Sequence, residues 1–142
     1  MAAIPDESRF LAAVHDRAFR LLPAPLQPAD VTASPTGREY RYADAPGFCV
    51  YVEVGKATVD VGIALDGPVG EKVYGNLIGS QALLEQTLGK GLTLKGKPGG
   101  RRIGERIPLP DRGRRVQEAV GRRLATYVLY FKPMMDDLGS RA

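Results

Sequence analysis

The feature that most constrains the fold is a run of strict two-residue alternation between Phe48 and Leu65. Phe48, Val50, Val52 and Val54 alternate with Cys49, Tyr51 and Glu53, and Val59, Val61, Ile63 and Leu65 alternate with Thr58, Asp60 and Gly62. A period of two sends successive side chains to opposite faces, so the pattern calls for antiparallel strands with one buried face. Gly55-Lys56 between them suits a two-residue hairpin, because Gly at the first turn position accepts positive φ. Residues 38–43 also alternate, with Tyr40 and Tyr42 on one face, and Asp44-Ala45-Pro46-Gly47 supplies the turn into the next strand. A three-strand antiparallel meander is the expected centre of the protein.

Helices are expected on either side of it. Phe10, Leu11, Val14, Ala18, Leu21 and Leu22 recur at spacings of three and four, which predicts a helix over 6–22 with Asp6 or Ser8 as its cap. Pro23, Pro25 and Pro28 stop it, and residues 23–37 read as a loop. After the meander, Asp66-Gly67-Pro68 and Gly70 break the pattern. Leu77, Leu84 and Leu88, flanked by Ile78 and Gln81, predict a helix over about 74–88 that ends at Gly89. Leu92 and Leu94 begin a short strand, residues 95–100 form a loop, and residues 102–109 return, anchored by Ile103 and Ile107. Val116, Val120, Leu124, Tyr127, Val128 and Phe131 share one side of a long helix over about 113–132, and Pro133 ends or kinks it. Met134, Met135 and Leu138 are spaced to continue as one more turn. The elements make one α+β domain over residues 1–142: a three-strand meander and a second hairpin, packed by an N-terminal, a central and a long C-terminal helix.

Composition bears on compartment and partner. The single cysteine, Cys49, excludes an intramolecular disulfide. No N-terminal secretory pattern and no membrane-length apolar run is present, so a cytoplasmic address without membrane attachment is expected. Net charge is +4, but residues 90–123 hold eleven Lys or Arg against three acids. That stretch carries +8 and leaves −4 for the remainder, an asymmetry that points to a polyanionic partner.

Three patterns further along the chain carry a resemblance. Asn76-Leu77, Leu84-Glu85, Leu88-Gly89 and Leu92-Thr93-Leu94 resemble a helix-to-strand signature in a family of uncharacterised bacterial domains. Arg101-Arg102-Ile103 and the ending Tyr130-Phe131-Lys132-Pro133-Met134-Met135-Asp136-Asp137-Leu138 resemble it too. Those domains occur alone or C-terminal to RecB-like nuclease domains, and the likeness covers about residues 48–138. Leu94 stands where the family has Trp. The resemblance implies an accessory domain near DNA metabolism or defence and assigns no catalytic residue.

Catalytic patterns fail on their chemistry. Gly91 to Lys97 has the glycine and lysine spacing of a phosphate loop, but Pro98 replaces the hydroxyl that binds magnesium and removes an amide. A metal-dependent nuclease wants an acid on one strand and Glu-x-Lys on the next, whereas Glu53-Val54-Gly55-Lys56 has one residue too many. Asp60 and Glu53 read as solvated, and Asp66 as part of a turn. His15 is the only histidine, so no zinc set of usual composition forms, and no group activates Cys49. No cofactor, metal or catalytic residue is therefore expected.

What remains is a basic segment: Lys95, Lys97, Arg101, Arg102 and Arg106 on the second hairpin, with Arg114, Arg115 and Arg122 on the long helix. Clusters of this kind bind phosphate backbones without reading sequence, by displacing condensed counterions. The competing account is a solvated rim in which Glu118 and Arg122 form an ordinary i,i+4 pair. Aromatics for base stacking are not interleaved with these cations. The expected function is non-catalytic binding of a polyanion such as nucleic acid. The alternative is a protein-interaction or homo-oligomer surface made by Tyr127, Tyr130, Met134 and Met135.

Overall fold

The computed structural model describes residues 6–45, 47–89, 91–97 and 100–140. Pro46 of the expected turn and Pro98 and Gly99 of the expected loop lie outside the described residues, as do residues 1–5 and Lys90. Helix α1 spans Asp6–Arg20, and strands β1 to β4 span Asp30–Ala33, Gly37–Arg41, Phe48–Val54 and Thr58–Asp66. Helices α2 (Gly67–Ile78) and α3 (Gln81–Leu88) follow, then β5 (Thr93–Lys97), β6 (Gly100–Pro108) and α4 (Arg114–Ser140). The strands form one antiparallel sheet in the order β1-β2-β3-β4-β6-β5. The α+β architecture, the meander and the second hairpin are as the alternation requires.

All the helices described pack on one face. On that face Tyr40, Val50, Ile63 and Ile103 stand in one cross-strand row and are wholly buried. Leu11, Val14, Ala18, Val120, Leu124, Tyr127 and Val128 cover them from α1 and α4. Each such aliphatic or aromatic side chain removed from water contributes roughly 1.5–3 kcal/mol. Among the described residues no element covers the opposite face. Its cross-strand rows are Glu53, Asp60 and Arg106, then Glu39, Tyr51, Gly62 and Gly104, then Arg41, Cys49, Ala64 and Arg102.

Several expectations need correction. The stretch 23–37 is not all loop: it holds a 3₁₀ turn at Ala24–Leu26 and the edge strand β1. Proline and serine content hid that strand, whose four residues are all exposed and leave no buried alternation to read. Gly55 does not adopt positive φ: its N–H donates to the Thr58 carbonyl at 2.8 Å, so the β3–β4 hairpin closes over Lys56 and Ala57, and the two-residue turn lies one position later than expected. The helix expected over 74–88 starts earlier and is two helices. Gly67, at φ +71, turns the chain out of β4, Pro68 opens the first turn of α2, and Ser80 leaves helical geometry at φ −118. Ile78, placed beside the buried stripe, is 44% exposed as a result. The loop expected at 95–100 is mostly strand, since β5 runs to Lys97 and β6 begins at Gly100.

Helix α4 continues through Pro133 to Ser140. Proline lacks the N–H that would bond the Leu129 carbonyl, and both Leu129 and Pro133 lie on the exposed side of the helix. Beyond Pro133 the helix is held by Lys132, which is buried. Its ammonium pairs with Asp136 on the next turn, lies 3.2 Å from Asp44 before β3, and sits 5.2 Å from the centre of the Tyr42 ring. Burial pulls the ammonium pKa down, and the hydrogen bonds to Asp136 and Asp44 outweigh it to raise it overall. Asp136→Ala is expected to destabilise the protein by about 1–3 kcal/mol, because a buried cation loses a partner. Lys132→Met, which removes the charge as well, should cost less than Asp136→Ala by urea unfolding.

Helices α1 and α4 run side by side in the same direction. Glu7 at the start of α1 meets Arg112, just ahead of α4, at 3.5 Å, and Gly121 lies against the middle of α1. A Cβ on Gly121 would come 2.9 Å from Arg17 Cβ and 3.3 Å from the Val14 carbonyl oxygen. The glycine is what lets the two helices approach this closely.

Candidate nucleic-acid interface

The structure divides the basic residues into three groups. Lys95 and Lys97 stand on the edge strand β5, in register with Arg102 and Gly100. The hairpin arginines are engaged by acids. Arg101 makes a two-pronged pair with Glu71 of α2 at 3.0 and 3.2 Å, donates to the Gly96 carbonyl, and lies 4.7 Å from the Tyr74 ring centre. Arg106 pairs with Asp60 at 2.9 Å across β4 and β6, and Arg102 stacks 4.8 Å from the Tyr51 ring centre with Glu53 at 3.9 Å. Hydrogen bonds to Glu71 and Asp60 raise the guanidinium pKa of Arg101 and Arg106 respectively. Arg114 has Glu118 one turn along at 3.7 Å.

The third group lies on the helical layer. Arg122 lines a shallow groove between α4 and α1 together with Arg17, Arg20, Leu21 and Glu118. Arg115 stands seven residues before Arg122 and so projects from the same helical face. Arg17 donates to the Ala13 carbonyl of its own helix at 3.3 Å. None of Arg17, Arg20, Arg115 and Arg122 has an acidic partner among the described residues. Glu118 is bound to Arg114, not to Arg122, which removes the i,i+4 pair expected from spacing.

Arg17 and Arg20 were not candidates on sequence. Their signal was two arginines three apart on an amphipathic helix, and only the α1–α4 contact turns that into part of a larger cationic face. The aromatic and Met surface expected at the C-terminus is largely interior: Tyr127 and Met135 are buried, and Tyr130 and Met134 are partly buried against the core.

The remaining reactive groups are quiet. Cys49 is buried on the open sheet face, and burial raises its thiol pKa, so it stays protonated. Tyr51 lies over the backbone of Gly104, and burial pushes its phenol up to about 12. Arg123 joins Glu105 and the Leu88 carbonyl, tying β6, α3 and α4 together. Beside it the buried Tyr127 hydroxyl has no hydrogen-bond partner among the described residues, and burial raises its pKa. No group of three His, Cys, Asp or Glu among the described residues could hold a metal ion. No helix among them is long and apolar enough to cross a membrane.

His15 reports on the same helical layer. It lies 3.2 Å from the Tyr40 hydroxyl and packs against the Phe19 ring at 4.6 Å, and burial lowers its pKa below 6.5. The unfolded chain then binds the proton more readily, so stability is lost as pH falls from 6.5 toward the folded pKa. His15→Gln should flatten that part of the profile, which melting temperatures between pH 7.5 and 5 would check.

Comparison with protein-family models, curated proteins and solved structures returned no match to this chain.

Proposed function

We propose that the protein is a non-catalytic module that binds a polyanion, and that nucleic acid is the polyanion its chemistry fits. The observation that supports this reading is the outer face of α1 and α4, where Arg17, Arg20 and Arg122 line one groove with Glu118 and Arg115 stands about two turns before Arg122 on the same helical face, none of the four arginines having an acidic partner among the described residues. Arginine forks match phosphate oxygens and remain charged at any working pH. The groove has no aromatic lining, so it suits phosphate contacts and not base stacking. The hairpin arginines contribute less, because a phosphate must compete with Glu71, Glu53 and Asp60. A role beside a nuclease or in defence rests on the family resemblance alone.

A fluorescence-anisotropy titration of a labelled oligonucleotide against the full chain tests this. Four phosphate contacts predict that affinity falls by roughly a hundredfold between 50 and 200 mM salt. Absence of binding to both duplex and single strand at low salt would end the proposal.

A further inference from the structure

The sheet has two edges, β1 and β5, and they are built differently. Strand β5 carries Lys95 and Lys97, and Gly96 at φ +111 interrupts its regular backbone. Lysines and backbone irregularities are what edge strands use to avoid pairing with another chain. Strand β1 has no lysine, proline or irregular glycine. All four of its residues are exposed, including Val31 at 42%.

The hydrogen-bond alternation shows which groups this edge offers. Ser34 N–H donates to the Gly37 carbonyl at 3.0 Å, so Ser34, Thr32 and Asp30 direct their backbone groups toward β2. The N–H and C=O of Val31 and Ala33 therefore point away from the sheet. No backbone hydrogen bond from another element reaches them among the described residues.

We propose that β1 is a self-association surface, on which a second copy of this chain lays its own β1 antiparallel and centred on Thr32. In that register Val31 faces Ala33 of the second copy and Ala33 faces Val31, so the four free groups on each side form four hydrogen bonds. Thr32 meets Thr32 of the second copy at the two-fold axis. Asp30 falls opposite Ser34, so the acids do not oppose each other. Pro35 has no N–H and stops the pairing from running further. Every element of the match lies within residues 30–35 of one chain, and that favours a second copy over an unrelated partner.

The two-fold axis stands perpendicular to the sheet. Both helical layers then lie on the same side, and two arginine faces are presented together. The pairing itself does not depend on polyanion binding. Four residues a side bury less than the about 1,000 Å² typical of stable interfaces, so the dimer forms only at high protein concentration.

Sedimentation velocity on the full chain from micromolar to millimolar concentration should show the mass rising toward twice the monomer. Ala33→Pro should abolish that rise with an unchanged melting temperature, because this N–H is not used in the β1–β2 ladder. Thr32→Cys should form a disulfide-linked dimer under mild oxidation, since a non-hydrogen-bonded antiparallel pair brings the two residues within disulfide reach. Cys49 is buried and does not compete. If Ala33→Pro loses its fold, Val31→Lys replaces it, with the same expected loss of association. A wild-type chain that stays monomeric throughout overturns the proposal. So does association that survives these edge variants, or a Thr32→Cys chain that does not cross-link.

Discussion

Gly62→Val is expected to destabilise the protein by about 3 kcal/mol or more, the largest effect of any single substitution proposed. Gly62 and Gly104 face each other across the β4–β6 pair. A Cβ on Gly62 would sit against the Ile103 carbonyl oxygen and 2.6 Å from Gly104 Cα. Both are backbone atoms that no rotamer change can move. Tyr51 closes the third side, its hydroxyl 2.7 Å from where a Gly104 Cβ would stand. A side chain at either glycine must push the two strands apart in the middle of their longest register. Gly75→Ala is the contrasting change: the glycine is exposed within α2, and nothing lies within 4 Å of its would-be Cβ. It should stabilise by about 0.5–1 kcal/mol, through helix propensity alone. Urea midpoints separate the two, and an unchanged midpoint for Gly62→Val would mean the strands are not this close.

The second large effect is on binding. Charge reversal at Arg17, Arg20 and Arg122 should weaken oligonucleotide affinity on the order of a hundredfold or more at 100 mM salt. The slope of log affinity against log salt should drop from about 3–4 toward 1, because three of four phosphate contacts are gone. Arg102→Gln with Arg106→Gln should change affinity little, since these guanidinium groups already face Glu53 and Asp60. The reverse result, with the hairpin variant inactive and the helical variant unaffected, would move the interface to the open sheet face. Circular dichroism of both variants distinguishes loss of binding from loss of fold.

The two predictions differ in how much of their basis the sequence contains. Glycines at 62 and 104 are plain in the chain, but nothing local says that they face each other across paired strands. The arginines at 115 and 122 share a helical face by spacing alone, whereas Arg17 and Arg20 join them only because Gly121 lets α1 approach α4. The hairpin arginines were equally visible as charges. What was hidden is that Glu71, 30 residues away, and Asp60, 46 residues away, engage Arg101 and Arg106.

The sequence by itself determined the meander, the second hairpin, the helical layer and the identity of most core residues. Period-two and period-3.6 patterns record which side of each element faces away from water, and that information is local. It missed β1, because an exposed edge strand has no buried face to create a pattern. It joined α2 to α3, because buried leucines can keep their spacing across a break at Ser80. Only the tertiary structure decided which charges are paired, which glycines mark a close approach, and which sheet edge stands undefended. Each of these is a relation between residues far apart in the chain, set by packing and register, and composition counts the groups without saying which of them meet.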